Sequence, residues 1–543
     1  MAKERAKTAR NISLLDCTLR DGGYVNDWLF GHDALVNIFE RLVSAGVDII
    51  EVGFIDDRRP FDYDRSIFPD TAAVEKVFGG LDRGGSMVVG MIDYGTCALE
   101  HVQPCSECWL DGIRVIFKKH IKEEAFAYCA ALKALGYKVF AQAVSITSYD
   151  ETELLEFIEL ANSVKPYAVS LVDTYGLLHQ SDLIEIVKTM DERLLPEIGL
   201  GYHAHNNFQM GYANAIAFLK DRSRRSLVVD ATLYGMGKSA GNAPIELLSM
   251  HMNSHLGKTY DINQMLEAIQ TSVMDVYKKS PWGYNLFYYV AASNKVHPSY
   301  VSYLMYKRTL SITEQNEILQ QIDEEKKLLY DKDYIERLYL RYQQRECNDA
   351  ADIAALQERW RGKEFLLLGP GTSVVKNKER IQALIESNAC EIISINYIYP
   401  VGMPAYLFLT NSQRYVQLCT QLSKAGDSVT TVATSNVTCT AGKFAYKVNY
   451  SSLIDTEQKE IPDNSLRMLL KLLEKMDPKK VYLAGFDGYV PDDVNYFDIK
   501  KEYSYIREKA DFLNEYGTQF IREFKEKFPI EFITPSKYQE EEK

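Results

Sequence analysis

His203-Ala204-His205-Asn206 is the spacing in this chain with the most specific chemistry. Two histidines at i and i+2 on a strand point to the same side, so both imidazoles can reach one ion at about 2.0 to 2.2 Å. A carboxylate beside them completes a facial set of ligands, and Leu19-Arg20-Asp21-Gly22 supplies one in Asp21. Asn242 adds a neutral amide oxygen. Two imidazoles, one carboxylate and an amide leave open positions on an octahedral ion. That set suits a chelating substrate and Mn2+ or Mg2+, with Zn2+ or Co2+ also accommodated. Arg20 places a fixed cation where enolate charge would develop, although Arg20-Asp21 also reads as a local ion pair. Asn206 also reads as a helix cap. Glu51 reads either as a buried partner of a lysine or arginine or as a support for the ligands.

These residues need elements that bring them together. From Ile12 to Leu233, apolar β-branched runs recur at 12–16, 48–54, 86–92, 112–117, 137–145, 167–173, 197–203 and 226–233. Segments between them, such as His32 to Ala45, Glu123 to Leu135, Glu151 to Val164 and Gln180 to Met190, carry apolar residues at helical spacing. Alternating strand and helix implies parallel pairing, and eight such units in about 250 residues predict a (β/α)8 TIM barrel. A doubly wound open sheet is the alternative. In a barrel, chemistry sits at the carboxyl ends of the strands. Asp21, Glu51, Asp173, His203 and His205, and the loop Gly235 to Asn242 all fall there. Gly235-x-Gly237-x-x-Ala240 superficially fits a dinucleotide fingerprint, but it follows the last strand and is read as a tight loop presenting Asn242.

With 543 residues the chain exceeds one ordinary core. The boundaries predicted are a barrel over 1–300, a helical connector over 301–360 and a C-terminal Rossmann-like α/β domain over 361–543. In the connector, Ser311-Ile-Thr-Glu314 has the form of a capping box, and Glu317 to Arg345 reads as a pair of solvated helices. Strand patterns at 364–368, 391–395 and 480–487, two of them ending in glycine-rich loops, carry the C-terminal assignment. The last dozen residues, rich in Glu and Lys, are read as frayed.

A net charge of −13 with scattered lysines and arginines argues against nucleic acid as a partner. No apolar run is long enough to span a bilayer, and Met1 to Arg10 lacks the apolar segment of a signal peptide, so a cytoplasmic protein is expected. The nine cysteines form no disulfide framework and read mostly as buried small apolar residues; Cys105-Ser-Glu-Cys108 is the one close pair, and the lack of a second Cys-x-x-Cys nearby weighs against a redox or zinc half-site.

Taken with their order and spacing, Thr18-Leu-Arg-Asp-Gly22, Gly46-Val-Asp-Ile-Ile-Glu51, Asp173-Thr-Tyr-Gly176, Gly201-Tyr-His-Ala-His-Asn206 and Asp230 to Glu246 resemble the metal-dependent lyase and aldolase superfamily, most closely 4-hydroxy-2-oxovalerate aldolases. The resemblance covers residues 11 to about 300. It implies Asp21, His203, His205 and Asn242 as metal ligands, Arg20 as the enolate stabiliser, and a 2-oxo acid and an aldehyde as small-molecule partners in a homo-oligomer. Those aldolases carry a histidine as base after Arg-Asp-Gly, where this chain reads Gly22-Gly23-Tyr24. Tyr24, Tyr284, Tyr288 and His120 are the candidates, and Tyr24 is grouped with Arg20 and Glu51 in the catalytic set. The Asp-Gly-Glu-Gln form of isopropylmalate and homocitrate synthases is absent, which weighs against an acyl-CoA-condensing transferase. Residues 364 to about 500 resemble, more weakly, the nucleotide-binding fold of bacterial sialyltransferase-like proteins. Gly369, Gly371 and Ser373 are the expected phosphate seat for a nucleotide or nucleotide-sugar, with a noncatalytic scaffold or dimerisation role as the alternative.

Overall fold

The computed structural model describes residues 12–220, 225–387, 390–399, 404–439, 443–458, 461–498, 502 and 504–539. Met1 to Arg10 lie outside them. The chain divides into two compact units, Met1–Pro298 and Ser299–Lys543.

The first unit contains β1 (Ile12–Asp16), β2 (Ile49–Ile55), β3 (Ile67–Phe68), β4 (Met87–Asp93), β5 (Gly112–Phe117), β6 (Lys138–Ala143), β7 (Ala168–Asp173), β8 (Gly199–Ala204) and β9 (Leu227–Ala231). Every pairing is parallel. β1 bonds to β9 on one side and to β2 on the other, so eight strands close into a barrel and the two-residue β3 hangs on β2 outside it. Closure rules out the open-sheet alternative. Helices such as His32–Ser44 and Lys122–Ala134 follow the strands, and Glu151–Val164 starts at a full capping box made by Asp150 and Glu153.

Residues two apart on a strand share a face, and this sets the barrel's interior in two layers. Ile49, Phe140, Ala168 and Val228 pack with Leu15, Cys17 and Val89 in an apolar layer. Two residues further along the same strands, Glu51, Gln142, Ser170 and Asp230 are buried polar groups, joined by Arg114 and His203. The carboxyl half of the barrel is therefore lined by groups that need partners. Small residues make the space: a Cβ on Gly201 would lie 2.2 Å from Ser170 Oγ. In β2 the register slips between Glu51 and Phe54. Gly53 has φ 147°, and a Cβ there would meet the Ser66 carbonyl at 2.0 Å. The resulting bulge carries Phe54 toward the loops after the strand.

The second unit is built on a sheet of β10 (Glu364–Leu368), β11 (Glu391–Ile395), β12 (Tyr406–Leu409), β13 (Thr430–Thr434), β14 (Tyr446–Val448), β15 (Lys480–Ala484) and β16 (Ile530–Phe532), all parallel, in the order β14-β13-β12-β11-β10-β15-β16. Phe365 and Leu367 of β10 face one core with Leu469 and Phe520. Leu366 and Leu368 face another with Val374 and Ile381. Helices thus cover both faces, as a parallel sheet requires. Ser311 and Glu314 form the expected capping box, and helix Ala350–Trp360 buries Leu356 and Trp360 in the same core as the sheet. Two expectations are corrected. The helix Lys332–Gln343 is not a solvated one, because Ile335, Leu338, Tyr339 and Tyr342 are buried. The chain's end is not frayed through its last dozen residues, because Phe532, Ile533, Thr534 and Tyr538 are buried. Among the described residues no helix is long and apolar enough to cross a membrane.

Candidate metal centre at the barrel mouth

Asp21, His203 and His205 meet at the carboxyl ends of β1 and β8, with one ligand atom of each within 4.8 Å of the others. The loop after β9 completes the group. Residue 205 bridges to residue 242 as in an antiparallel pair, and Asn242 Nδ2 donates to Asp21 Oδ1 at 2.9 Å and to the Met236 carbonyl at 3.1 Å. Gly237 is required for this approach: a Cβ would lie 2.2 Å from Asn242 Nδ2 and 2.7 Å from Asp21 Oδ1. All four side chains are buried.

Two oriented atoms suit a cation. His205 Nδ1 and Asn242 Oδ1 are buried without any hydrogen-bond partner, and a buried acceptor left unpaired costs about 1–3 kcal/mol. His203 Nδ1 lies 2.9 Å from Asp230 Oδ2. A carboxylate only accepts, so Nδ1 carries the proton and Nε2, 3.5 Å from Asp21 Oδ2, is turned toward the ligand group. Cys17, His203 and Asp230 are a second close trio, but Asp230 Oδ2 is already shared by His203 and Arg114. The donor chemistry of Asp21, His203, His205 and Asn242 therefore fits a divalent ion, and the residues supplying it are those picked out by spacing.

Around this group runs a continuous charge network. Arg20 Nε donates to Glu51 Oε2 at 2.8 Å and Arg20 Nη1 to Asp21 Oδ2 at 2.5 Å. Arg114 donates to Glu51 Oε2 at 3.0 Å, to Gln142 Oε1 at 3.1 Å and to Asp230. Burial opposes ionisation of Asp21, but Arg20 and His205 outweigh it and hold its carboxyl well below the usual range. Burial likewise works against a charged His203, yet hydrogen bonds to Asp21 and Asp230 raise its pKa. Burial lowers His205 to about 4, so it is a neutral acceptor at pH 7. Glu51 thus holds Arg20 and Arg114. Arg114 was missed from sequence, although a lone arginine inside the apolar run Gly112 to Phe117 is a legible signal; so was the positioning role of Asp230.

The proton-transfer candidates fare differently. Tyr24 lies in the loop after Asp21, its ring under the Lys238 ammonium at 5.3 Å. Burial raises its phenol pKa further from neutrality, which weighs against it as the base. Tyr288 shifts the same way, also by burial; Tyr284 and His120 are exposed. His297, absent from the sequence reading, interacts with Lys238, and burial first and that cation second lower its pKa to about 4.

Gly369 and Gly371 lie where the expected phosphate seat was placed, but the seat is taken. Ser373 N–H donates to Asp487 Oδ2 at 2.8 Å, the Ser373 hydroxyl donates to Asp487 Oδ1, and a Cβ on Gly371 would sit 2.4 Å from that oxygen. The loop is closed on an internal carboxylate. Cys105 and Cys108 are unpaired thiols, and among the described residues no third ligand joins them.

Residues 11–273 match the family model described as HMGL-like. The chain is 26% identical over 278 residues to a homocitrate synthase from Sulfolobus acidocaldarius, covering 48% of this chain and 56% of that protein. It is 27% identical over 250 residues to a 4-hydroxy-2-oxovalerate aldolase from Cupriavidus taiwanensis, covering 44% and 70%. Among solved structures, the N-terminal domain of a Bacteroides vulgatus protein designated a candidate aldolase aligns with TM-score 0.46 and 23% identity over 55% of this chain and 98% of that one. Over residues 11–273 this chain is similar to the HMGL-like family.

Proposed function

We propose that the barrel is a divalent-metal-dependent aldolase, a carbon–carbon lyase that cleaves or forms a 4-hydroxy-2-oxo acid through a pyruvate-type enolate. The observation that carries this is the cluster of Asp21, His203 and His205, one ligand atom of each within 4.8 Å of the others, beside Arg20, with His205 Nδ1 and Asn242 Oδ1 buried and unpaired. A divalent cation held by Asp21, His203, His205 and Asn242 would supply Lewis acidity toward the adjacent oxygens of a 2-oxo acid; Mn2+ and Mg2+ suit that set best.

The chain's own groups do the rest. Arg20, fixed by Glu51 and Asp21, offsets negative charge on the substrate's 2-oxo oxygen without having to reorganise. A base takes the proton of the 4-hydroxyl, the C3–C4 bond breaks, its electron pair becomes the C2–C3 double bond of the enolate, and an aldehyde leaves; condensation is the reverse. A second reading, an acyl-thioester-dependent condensing enzyme, is favoured by the homocitrate synthase similarity. The C-terminal unit is read as Rossmann-like on its parallel strand order, with a nucleotide-sugar role for it unassigned to any loop.

The test is the exchange of pyruvate methyl protons in D2O with Mn2+ and no aldehyde or thioester, followed by NMR. Wild-type protein should exchange them, and Asp21→Asn or His203→Ala should lose about 10³-fold of the rate. Full exchange by both variants overturns the reading. Exchange or turnover only with an added thioester transfers it to the condensing enzyme.

A further inference from the structure

Beside Arg20, the barrel mouth opens into a cleft of about 370 Å³ between the ends of β1, β2 and β4. Its two walls differ in character. One wall is aromatic: Tyr24, Trp28 and Phe54 meet edge to face at centroid distances of 4.8, 5.5 and 5.9 Å. The loop that builds it is strained, since Asp27 and Trp28 follow one another with φ 53° and 57°. Two successive non-glycine residues there are uncommon, and for a bulky side chain such a conformation persists where the surroundings impose it. Here Trp28 Nε1 is tied to the Arg20 carbonyl at 2.8 Å, and Arg20 Cζ lies 5.9 Å from the Phe54 ring centre. The aromatic wall is thus fastened to the residue that faces the reacting oxygen.

The opposite wall is polar and close to neutral. Asp56 and Asp93 line it with Arg58 and Arg59. Arg58 is spent on Asp56 through two hydrogen bonds of 2.7 and 2.6 Å, and Arg59 reaches Asp27. Thr96 lines the same wall. It is 8% exposed, and its hydroxyl is buried with no partner. A buried hydroxyl left unpaired calls for an explanation, and one is a ligand group that completes it.

We infer that this cleft receives the aldehyde half of the substrate and that the aldehyde is a neutral, hydroxylated one, an aldose-like chain of three or more carbons. The inference rests on the aldolase reading above and extends it to the substrate class. A two-carbon aldehyde has three heavy atoms and displaces a volume on the order of 90 Å³, taking a water's share as about 30 Å³ per heavy atom, which leaves most of the cleft unfilled. Hydroxyls answer the polar wall: they donate to the carboxylates of Asp56 and Asp93 and pair with Thr96 Oγ1. The C–H edges of the same chain carry slight positive charge and suit the aromatic wall. Among the residues lining the cleft two carboxylates offset both arginines and Arg58 is already committed, so a phosphorylated aldehyde would find only Lys238, over the Tyr24 ring, as a further cation.

The experiment compares aldehydes of matched length with Mn2+ and pyruvate, reading aldol product by mass spectrometry and correcting for the free aldehyde fraction. Glyceraldehyde is set against propanal and erythrose against butanal. We expect kcat/KM about tenfold or more in favour of each hydroxylated member, the size of one well-made hydrogen bond. Thr96→Val and Asp93→Asn should each lower that ratio several-fold; a merely misfolded variant lowers both members equally and leaves the ratio unmoved. Ratios at or below one in a protein that exchanges pyruvate methyl protons overturn the inference and leave the aldolase reading intact. So does a preference for glyceraldehyde 3-phosphate over glyceraldehyde. Absence of exchange removes the aldolase reading and this inference with it.

Discussion

Asp21 in the barrel and Asp487 in the C-terminal sheet are both carboxylates placed just beyond the carboxyl end of a parallel strand, yet their neighbours treat them differently. Around Asp487, Ser373 N–H and the hydroxyls of Ser373 and Thr372 all end on the carboxylate, and none of those atoms is left over. Around Asp21, the same kind of convergence leaves His205 Nδ1, Asn242 Oδ1, Glu51 Oε1 and Asp230 Oδ1 buried and unpaired. Carboxyl ends of parallel strands are where ligands bind in both architectures, so position alone does not separate a site from a seal. The separation lies in whether the polar groups close on one another or remain one partner short.

The strongest way to break this contrast is Gly237→Ala. The new Cβ would have to displace Asn242 Nδ2 and Asp21 Oδ1, and a displacement of about 1 Å at a reacting centre costs on the order of 10²-fold. Pyruvate exchange should fall by about that much with the fold kept by circular dichroism; an unchanged rate would mean that Asn242 and Asp21 are not part of the machinery. Asp230→Asn is milder. It keeps the shape but weakens the charge that orients His203 through Nδ1, and loss of such support costs about tenfold to a hundredfold in metal affinity. A Mn2+ titration should show that drop, and an affinity within twofold of wild type would detach Asp230 from the site.

How much of this was legible depends on how far along the chain each signal extends. The eight barrel strands recur as apolar runs of five to seven residues at regular intervals, and His-x-His states its own geometry. The third strand, Ile67–Phe68, and the bulge at Gly53 are invisible beforehand because two residues have no period and a register slip is a property of the partner strand. In the second unit, β13 reads Thr-Thr-Val-Ala-Thr and β14 only Tyr-Lys-Val, too short or too polar to announce a strand. The glycine loop at 369–371 carried a true signal, a close approach of backbone, but what approaches is β15's own loop and Asp487, more than a hundred residues later. A long-range partner of that kind leaves no local mark. At Tyr24 the neighbours in sequence suggest a substitute base, while burial raises its pKa.

Asp16 gives a pH-dependent way to sharpen the contrast within the mouth itself. It ends β1 five residues before Asp21, but no cation answers it; burial raises its pKa to about 7 against a usual 3.8, with hydrogen bonds from Thr18 only partly opposing. The native state therefore holds a proton that the unfolded state releases near pH 4. The stability this confers is complete below pH 4 and is lost as pH rises toward 7, above which the loss is flat. Between pH 5 and 8 the loss amounts to something on the order of 2 kcal/mol. Asp16→Asn cannot titrate, so its melting temperature should fall less over that range than wild type's. Parallel curves for the two proteins would show that the Asp16 carboxyl is already ionised at pH 5.

The smallest effect belongs to the seal. Asp487→Ala removes the acceptor of the Ser373 amide and hydroxyl and should cost about 1–2 kcal/mol, or a few degrees of melting temperature in a unit of this size. The Ser373 amide should lose hydrogen-exchange protection, and Asp487→Asn should restore part of it, because Asn keeps one accepting oxygen. Mn2+ affinity and pyruvate exchange should stay at wild-type values, since Asp487 belongs to the other compact unit. A carboxylate that serves as a seal is replaceable by any acceptor of its shape. If Asp487→Ala instead left stability and Ser373 protection untouched, the loop after β10 would not depend on that carboxylate. The difference between a satisfied strand end and an unsatisfied one would then have to rest on the barrel alone.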